Sequence, residues 1–214
     1  MARTILLASG IVASILYIGT DIVASTQWTN YAMSSQTVSE LIAVDAPTRS
    51  LVIPLFAAYS LLTYAFGAGI WMSSGPKPTL RVAGAMLIAK EVLGLIGSIF
   101  FPIHLRGVPA TYTDAMHGVV TGVGVLCLLV GIGFAAAALG GGFRTYSILT
   151  IIAMMVTGAI AGRDAPLIEA NQPTPYLGIL ERITIYSFLM WVTALAAALI
   201  RRNRSPGISN IGSR

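Results

Sequence analysis

The segment FFPIHLRGVPATYTDAMHG (100–118) holds both histidines of the chain, His104 and His117, together with Arg106 and Asp114. Imidazole is the one side chain that titrates near neutral pH, and a carboxylate beside it turns it into an oriented general base or a ligand. Asp114 and His117 are three positions apart, which puts them on one face of a helix starting near Asp114. On that spacing Asp114 orients His117, while at the helix start it also serves as a cap for free backbone amides. The stripe His117, Thr121, Gly124, Leu128, Gly131 is small enough for a second helix to approach, so His117 is expected to face the bundle. His104 precedes the helix, as a second proton-transfer group or a merely interfacial one.

Further carboxylates and cations stand in three other places. SQTVSEL (35–41) carries Ser35, Gln36 and Glu40, and Thr37-Val38-Ser39-Glu40 fits a capping box. A short surface helix is expected there, either a plain lid or the rim of a polar cavity. Glu181-Arg182 opens the last apolar run, where an acid suits the helix dipole and an arginine does not. Arg182 therefore needs an anionic partner: Asp21, Glu40, Asp114 or the head group of a ligand. Arg106 and Arg49 raise the same question, with snorkelling to lipid phosphates as the plain answer for Arg49. Lys90-Glu91 falls halfway along a third run, where each charge costs about 2.5–3.5 kcal/mol on insertion scales. Neighbours on a helix diverge by about 100°, so no good mutual ion pair is expected between them. Glu91 shares a face with Gly84, Gly94 and Ser98 and is expected to point inward.

The elements that position these groups follow from composition. The chain is 56% apolar and 10% charged, with mean hydropathy +0.81, whereas soluble domains carry about 25% charged residues. Lipid must solvate most of this surface. Period-2 alternation is absent, which excludes a barrel. The runs near 4–25, 47–73, 80–101, 114–139, 145–162 and 182–200 each approach the roughly 20 residues that cross a hydrocarbon core. The fold expected is all-α: one six-helix transmembrane bundle over 1–204, with 205–214 a flexible cytoplasmic tail. Eight basic residues (Arg3, Lys77, Arg81, Arg144, Arg201, Arg202, Arg204, Arg214) fall at one end, against Arg49, Arg106, Arg163 and Arg182 with most acids at the other. The positive-inside rule then makes both termini cytoplasmic. The first run also has the shape of a cleavable signal peptide, but its full spanning length and Asp21 favour retention. Cys127 lies alone in an apolar run and reads as a small buried residue.

SQTVSELIAVDAPTR (35–49), FFPIHLRGVPATYTDAMHG (100–118) and PYLGILERITIY (175–186) together resemble the bacterial membrane family known as domain of unknown function 998. Ser-Glu-Leu, His-x-Arg-Gly, Asp-x-x-His and Glu-Arg-Ile elements fall in order along the whole chain. The resemblance implies a six-helix fold and supplies no activity. Members often show Gly-Ala-Pro where this chain has Asp45-Ala46-Pro47, which removes Asp45 from any shared role. A more distant likeness is to lipid-remodelling membrane proteins of the Frag1 type.

Phosphate-binding and dinucleotide motifs, a serine nucleophile elbow and HExxH are all absent, and the basic residues form no nucleic-acid patch. The expected function is a polar pocket in the outer half of a bacterial inner-membrane protein, binding or acting by acid/base chemistry on a lipid-like amphiphile. Arg106 and Arg182 would hold an anionic head. His117, Asp114, His104, Glu40 and Glu181 would carry the proton chemistry, with Ser35, Gln36, Asp21 and Glu91 lining the pocket. No cofactor or metal is called for, although His104 and His117 leave room for zinc or one haem. The alternatives are a small proton-coupled carrier using Lys90 and Glu91, and an assembly subunit without catalysis. A closed bundle with Asp21 paired to Arg182 and no cavity would count against both pocket functions. The sequence sets no oligomeric state.

Overall fold

A computed structural model describes residues 1–76 and 78–204. The expected tail 205–214 and Lys77 lie outside the described residues. The protein is all-α, with helices α1 (Ala2–Gln27), α2 (Arg49–Met72), α3 (Pro78–Phe100), α4 (Tyr112–Leu139), α5 (Gly141–Glu169) and α6 (Leu177–Arg204). Each is long and apolar enough to cross a membrane. In lipid the helix is the form that satisfies every backbone group within one segment, and these apolar runs take that form.

Each helix packs on its neighbours in sequence and α6 returns to α1, so the six close into a ring. The α4–α5 seam is the sparsest, and α5 turns Ile148, Leu149, Ile152, Met155, Val156 and Ile160 outward. Outward apolar rows of this kind suit a lipid solvent. Inside the ring lie Leu7, Phe66, Leu87, Ile132, Trp191 and Leu195, all essentially inaccessible. The α2–α3 contact is a backbone approach: a Cβ on Gly84 would stand 2.7 Å from the Gly67 carbonyl oxygen. Close approach through small residues is how helices gain dispersion contacts where no hydrophobic force drives them together. The start of α1 meets the end of α6, with Arg3 Nη1 donating to Asn203 Oδ1 at 3.2 Å.

Five helices exceed the bounds read from the sequence, α1, α3 and α4 by two residues at an end and α5 and α6 by more. α5 continues past Gly162 through Arg163 and Asp164 to Glu169, and α6 starts at Leu177 rather than 182. Charges end an apolar run without ending a helix, because side chains can reach water while the backbone stays bonded. Glu181 and Arg182 consequently sit in the second turn of α6, where the dipole argument loses force.

Candidate functional site

The 28–48 connection does not lie on the surface as a lid. Its centre is a single 3₁₀ turn, Ser39–Ile42, driven into the end of the ring, with Val38, Glu40 and Leu41 at most 1% exposed. The capping box is present: Thr37 N donates to Glu40 Oε2 at 2.7 Å, and Glu40 N to Thr37 Oγ1 at 3.3 Å. Gly178 in the first turn of α6 permits this docking, since a Cβ there would lie 2.3 Å from the carbonyl oxygens of both Met33 and Gln36. The same loop supplies an acceptor for an orphan amide, Ile179 N donating to Ser34 O at 3.1 Å.

Two arginines hold the plug. Arg182 makes a bidentate pair with Asp21, Nε to Oδ2 at 2.9 Å and Nη2 to Oδ1 at 2.8 Å, while Asp21 is fully buried. Its Nη1 donates to Met33 O and Gln36 O at 2.8 and 2.9 Å. Tyr186 Oη donates to Asp21 Oδ2 at 2.6 Å, and Arg182 Nη2 donates to Tyr31 Oη at 2.8 Å. Tyr31 in turn donates to the Thr37 carbonyl at 2.7 Å, and burial pushes its phenol up, so it stays a neutral donor. Arg106 is held the same way: Nε and Nη2 donate to Glu40 at 2.7 and 2.9 Å, Nη1 to Thr174 Oγ1 at 3.1 Å, and Nη2 to Ser35 O at 3.1 Å. Its bonds to Glu40 raise the guanidinium above its ordinary range, keeping the charge fixed. Arg106 and Arg182 thus spend their forks on carboxylates and carbonyls of the chain itself; for Arg182 the partner is Asp21, one of the acids the sequence offered beside a ligand head group. Ser35 contributes mainly its carbonyl; Gln36 reaches back to Ala32 N at 2.9 Å and toward Glu40 at 3.4 Å. Glu181 accepts from Val38 N at 2.5 Å and fastens the plug a third time.

The histidines separate. Asp114 pairs with His104, not with His117: Oδ2 lies 2.9 Å from His104 Nδ1 and Oδ1 accepts from His104 N at 2.7 Å. The reason is the cap. Thr111 N and Oγ1 donate to Asp114 Oδ2 at 2.8 and 2.7 Å, turning the carboxylate back over the helix start toward the connection that carries His104. His117 Nδ1 instead meets the Phe101 carbonyl at 2.9 Å, and beside it Thr121 is exposed while Gly124, Leu128 and Gly131 are buried. A cavity of about 130 Å³ is walled by His104, Arg106 and Asp114 on one side and Ile168 and Glu169 on the other. His104 Nε2 and the Glu169 carboxylate have no partner among the described residues.

The family model for "Protein of unknown function (DUF998)" matches residues 11–198. The chain belongs to the DUF998 family. No curated protein and no solved structure matches it.

In this DUF998 protein Asp45 takes φ 65°. Glycine enters that region freely, and aspartate is among the few residues that tolerate it. Lys90 and Glu91 do pair, Nζ to Oε1 at 2.5 Å, against the divergence expected of neighbours. The four-carbon lysine stem curls to the ring interior, where its ammonium sits 5.3 Å over Phe188 of α6 and 5.5 Å over Tyr59. Ser60 Oγ donates to Glu91 Oε2 at 3.0 Å, completing a mid-bundle cluster. Glu91 is buried as expected, although Gly94 is exposed. Asp21, Glu91, His117, Glu181 and Arg182 line neither described cavity. Among the described residues no three His, Cys, Asp or Glu gather as a metal site. Sequence reasoning missed Tyr31, Tyr186 and Thr174, which fill the valences the ion pairs leave over, and Glu169. The signal for the hydroxyls was stoichiometric: a buried guanidinium has five donors and one carboxylate cannot take them all.

Proposed function

We propose that the protein spans the bacterial inner membrane with both termini cytoplasmic, and that its outer end acts by acid/base chemistry on the polar end of an amphiphile. The Arg3–Asn203 contact supports the shared side of the termini, and the basic excess at that end supports its being cytoplasmic. The observation that carries the chemistry is the His104–Asp114 pair on a cavity wall.

Four donors converge on Asp114, from His104 N and Nδ1 and from Thr111 N and Oγ1. That arrangement favours the carboxylate and assigns the His104 proton to Nδ1, leaving the Nε2 lone pair as the base. Glu169 across the cavity is the second acid/base group, the part first given to Glu40 or Glu181, whose oxygens are engaged in the plug. A cavity of about 130 Å³ is small beside the roughly 300–1,000 Å³ of sites that enclose a whole ligand. It suits a head whose tail remains in the bilayer. With Arg106 neutralised by Glu40, the walls are net acidic and suit an uncharged or cationic head over an anionic one.

The test is lipid mass spectrometry of vesicles of bacterial polar lipids containing wild-type protein or His104→Ala. Species formed with the wild type and lost in the variant are expected. An unchanged lipid profile with folded wild-type protein would sink the acid/base reading. The carrier alternative keeps one observation, the Lys90–Glu91–Ser60–Tyr59 cluster inside the ring; proton flux that stops in Glu91→Gln would favour it.

A further inference from the structure

The larger described cavity is not the one with the histidine. It is an open groove of about 490 Å³ bordered by Asp45, Ala46, Arg49, Ser50, Ile53 and Pro54. It lies at the same end of the bundle, since Val44 N donates to Ile103 O at 2.8 Å beside His104.

Three features of its lining are chemically unspent. Arg49 gives Nη1 to the Ile42 carbonyl, while its Nε and Nη2 have no partner among the described residues. The exposed Asp45 carboxylate likewise has none and does not pair with Arg49. Pro54, inside α2, has no N–H to give the Ser50 carbonyl, which is left without its usual helical donor. The groove therefore offers a cationic fork, a carboxylate and a carbonyl at its polar end, and Ile53 and Pro54 at its apolar end. Among the described residues the two arginine–carboxylate ion pairs at this end, Arg106–Glu40 and Arg182–Asp21, are each closed on themselves. Here cation and anion are held apart by the chain: Asp45 is turned out by its left-handed φ of 65°, and Arg49 is braced to Ile42.

We propose that this groove binds a phospholipid whose head group carries a primary ammonium, of the phosphoethanolamine type. The phosphate lies on Arg49, the ammonium donates to Asp45 and the Ser50 carbonyl, and the acyl chain starts along Ile53 and Pro54. Charge complementarity selects this occupant. An anionic glycerol head meets repulsion from Asp45, and a trimethylated choline head has no N–H to donate. The site is separate from the His104 cavity and does not rest on the acid/base reading.

Detergent-purified protein is incubated with equimolar phosphatidylethanolamine, phosphatidylglycerol and phosphatidylcholine of matched chains, and retained lipid is counted by native mass spectrometry. The wild type is expected to retain phosphatidylethanolamine about tenfold over phosphatidylcholine, the worth of one charge-assisted hydrogen bond. Asp45→Gly, which suits the local φ, is expected to erase that preference without lowering Tm. Arg49→Gln is expected to lose all three lipids. Equal retention by the wild type, a preference for phosphatidylglycerol, or wild-type selectivity in Asp45→Gly would overturn the proposal.

Discussion

Of the three histidine- or arginine-carboxylate pairs at the plug end of the bundle, two stand in opposite states. At Arg182–Asp21 the fork is bidentate, Tyr31, Tyr186 and two carbonyls take the remaining valences, and both residues are buried. At His104–Asp114 one ring nitrogen is satisfied and the other is spare, beside a cavity and a second carboxylate. The first is a closed lock between α1, α6 and the plug. The second retains a spare ring nitrogen, space and access. Ionisable residues in a membrane protein are therefore not equal evidence of chemistry: surplus valence beside free volume separates a site from a fastening.

The largest effect should come from opening the lock. Asp21→Ala strands the Arg182 charge in the ring and is expected to destabilise by about 3–5 kcal/mol, seen as failure to purify or a sharply lower Tm in detergent. Replacing Asp21 and Arg182 together by Leu and Met should recover much of that loss, since a buried pair can be exchanged for apolar packing far more cheaply than it can be broken. A double variant as unstable as the single one would show that the tyrosines and plug carbonyls depend on the charges. Next comes Gly178→Ala, whose methyl meets two plug carbonyls; displacement of the loop is expected to cost about 1–3 kcal/mol and to raise protease sensitivity near residues 33–37. On the other side of the comparison, Thr111→Ala removes a cap bond and should cost about 0.5–2 kcal/mol. It should loosen Asp114 from His104 and lower any lipid-modifying activity well before the fold is lost. The smallest stability effect is expected of Glu169→Gln, an exposed unpartnered acid. Its Tm should match the wild type while turnover falls; unchanged turnover would remove Glu169 from the chemistry.

Much of the fold was legible because lipid imposes a simple rule. An apolar run of spanning length must be helical, and all six runs are. The capping boxes at Thr37–Glu40 and Thr111–Asp114 were legible or half-legible for an equally local reason, being decided within four residues. The partner of Asp114 was not. Spacing along a helix pointed to His117, but the cap turned the carboxylate away from that face and toward a residue ten positions back. Lys90 and Glu91 failed similarly: angular divergence described their Cβ atoms, whereas a long lysine stem and the cost of a bare charge in lipid decided where the ammonium went.

The need of Arg182 for an anion followed from sequence, with Asp21 among three named acids, because a guanidinium inside a bundle cannot stay unpaired. Choosing Asp21 over Glu40 and Asp114 required the ring, in which α6 closes against α1 and the plug commits Glu40 to Arg106. Sequence alone determined the number of spanning-length helices, their apolar character and the end at which polar side chains collect, since these depend on composition and period. The tertiary structure decided which charges cancel and which remain available, because pairing is settled by the few ångströms between side chains on different helices, a distance no local pattern encodes.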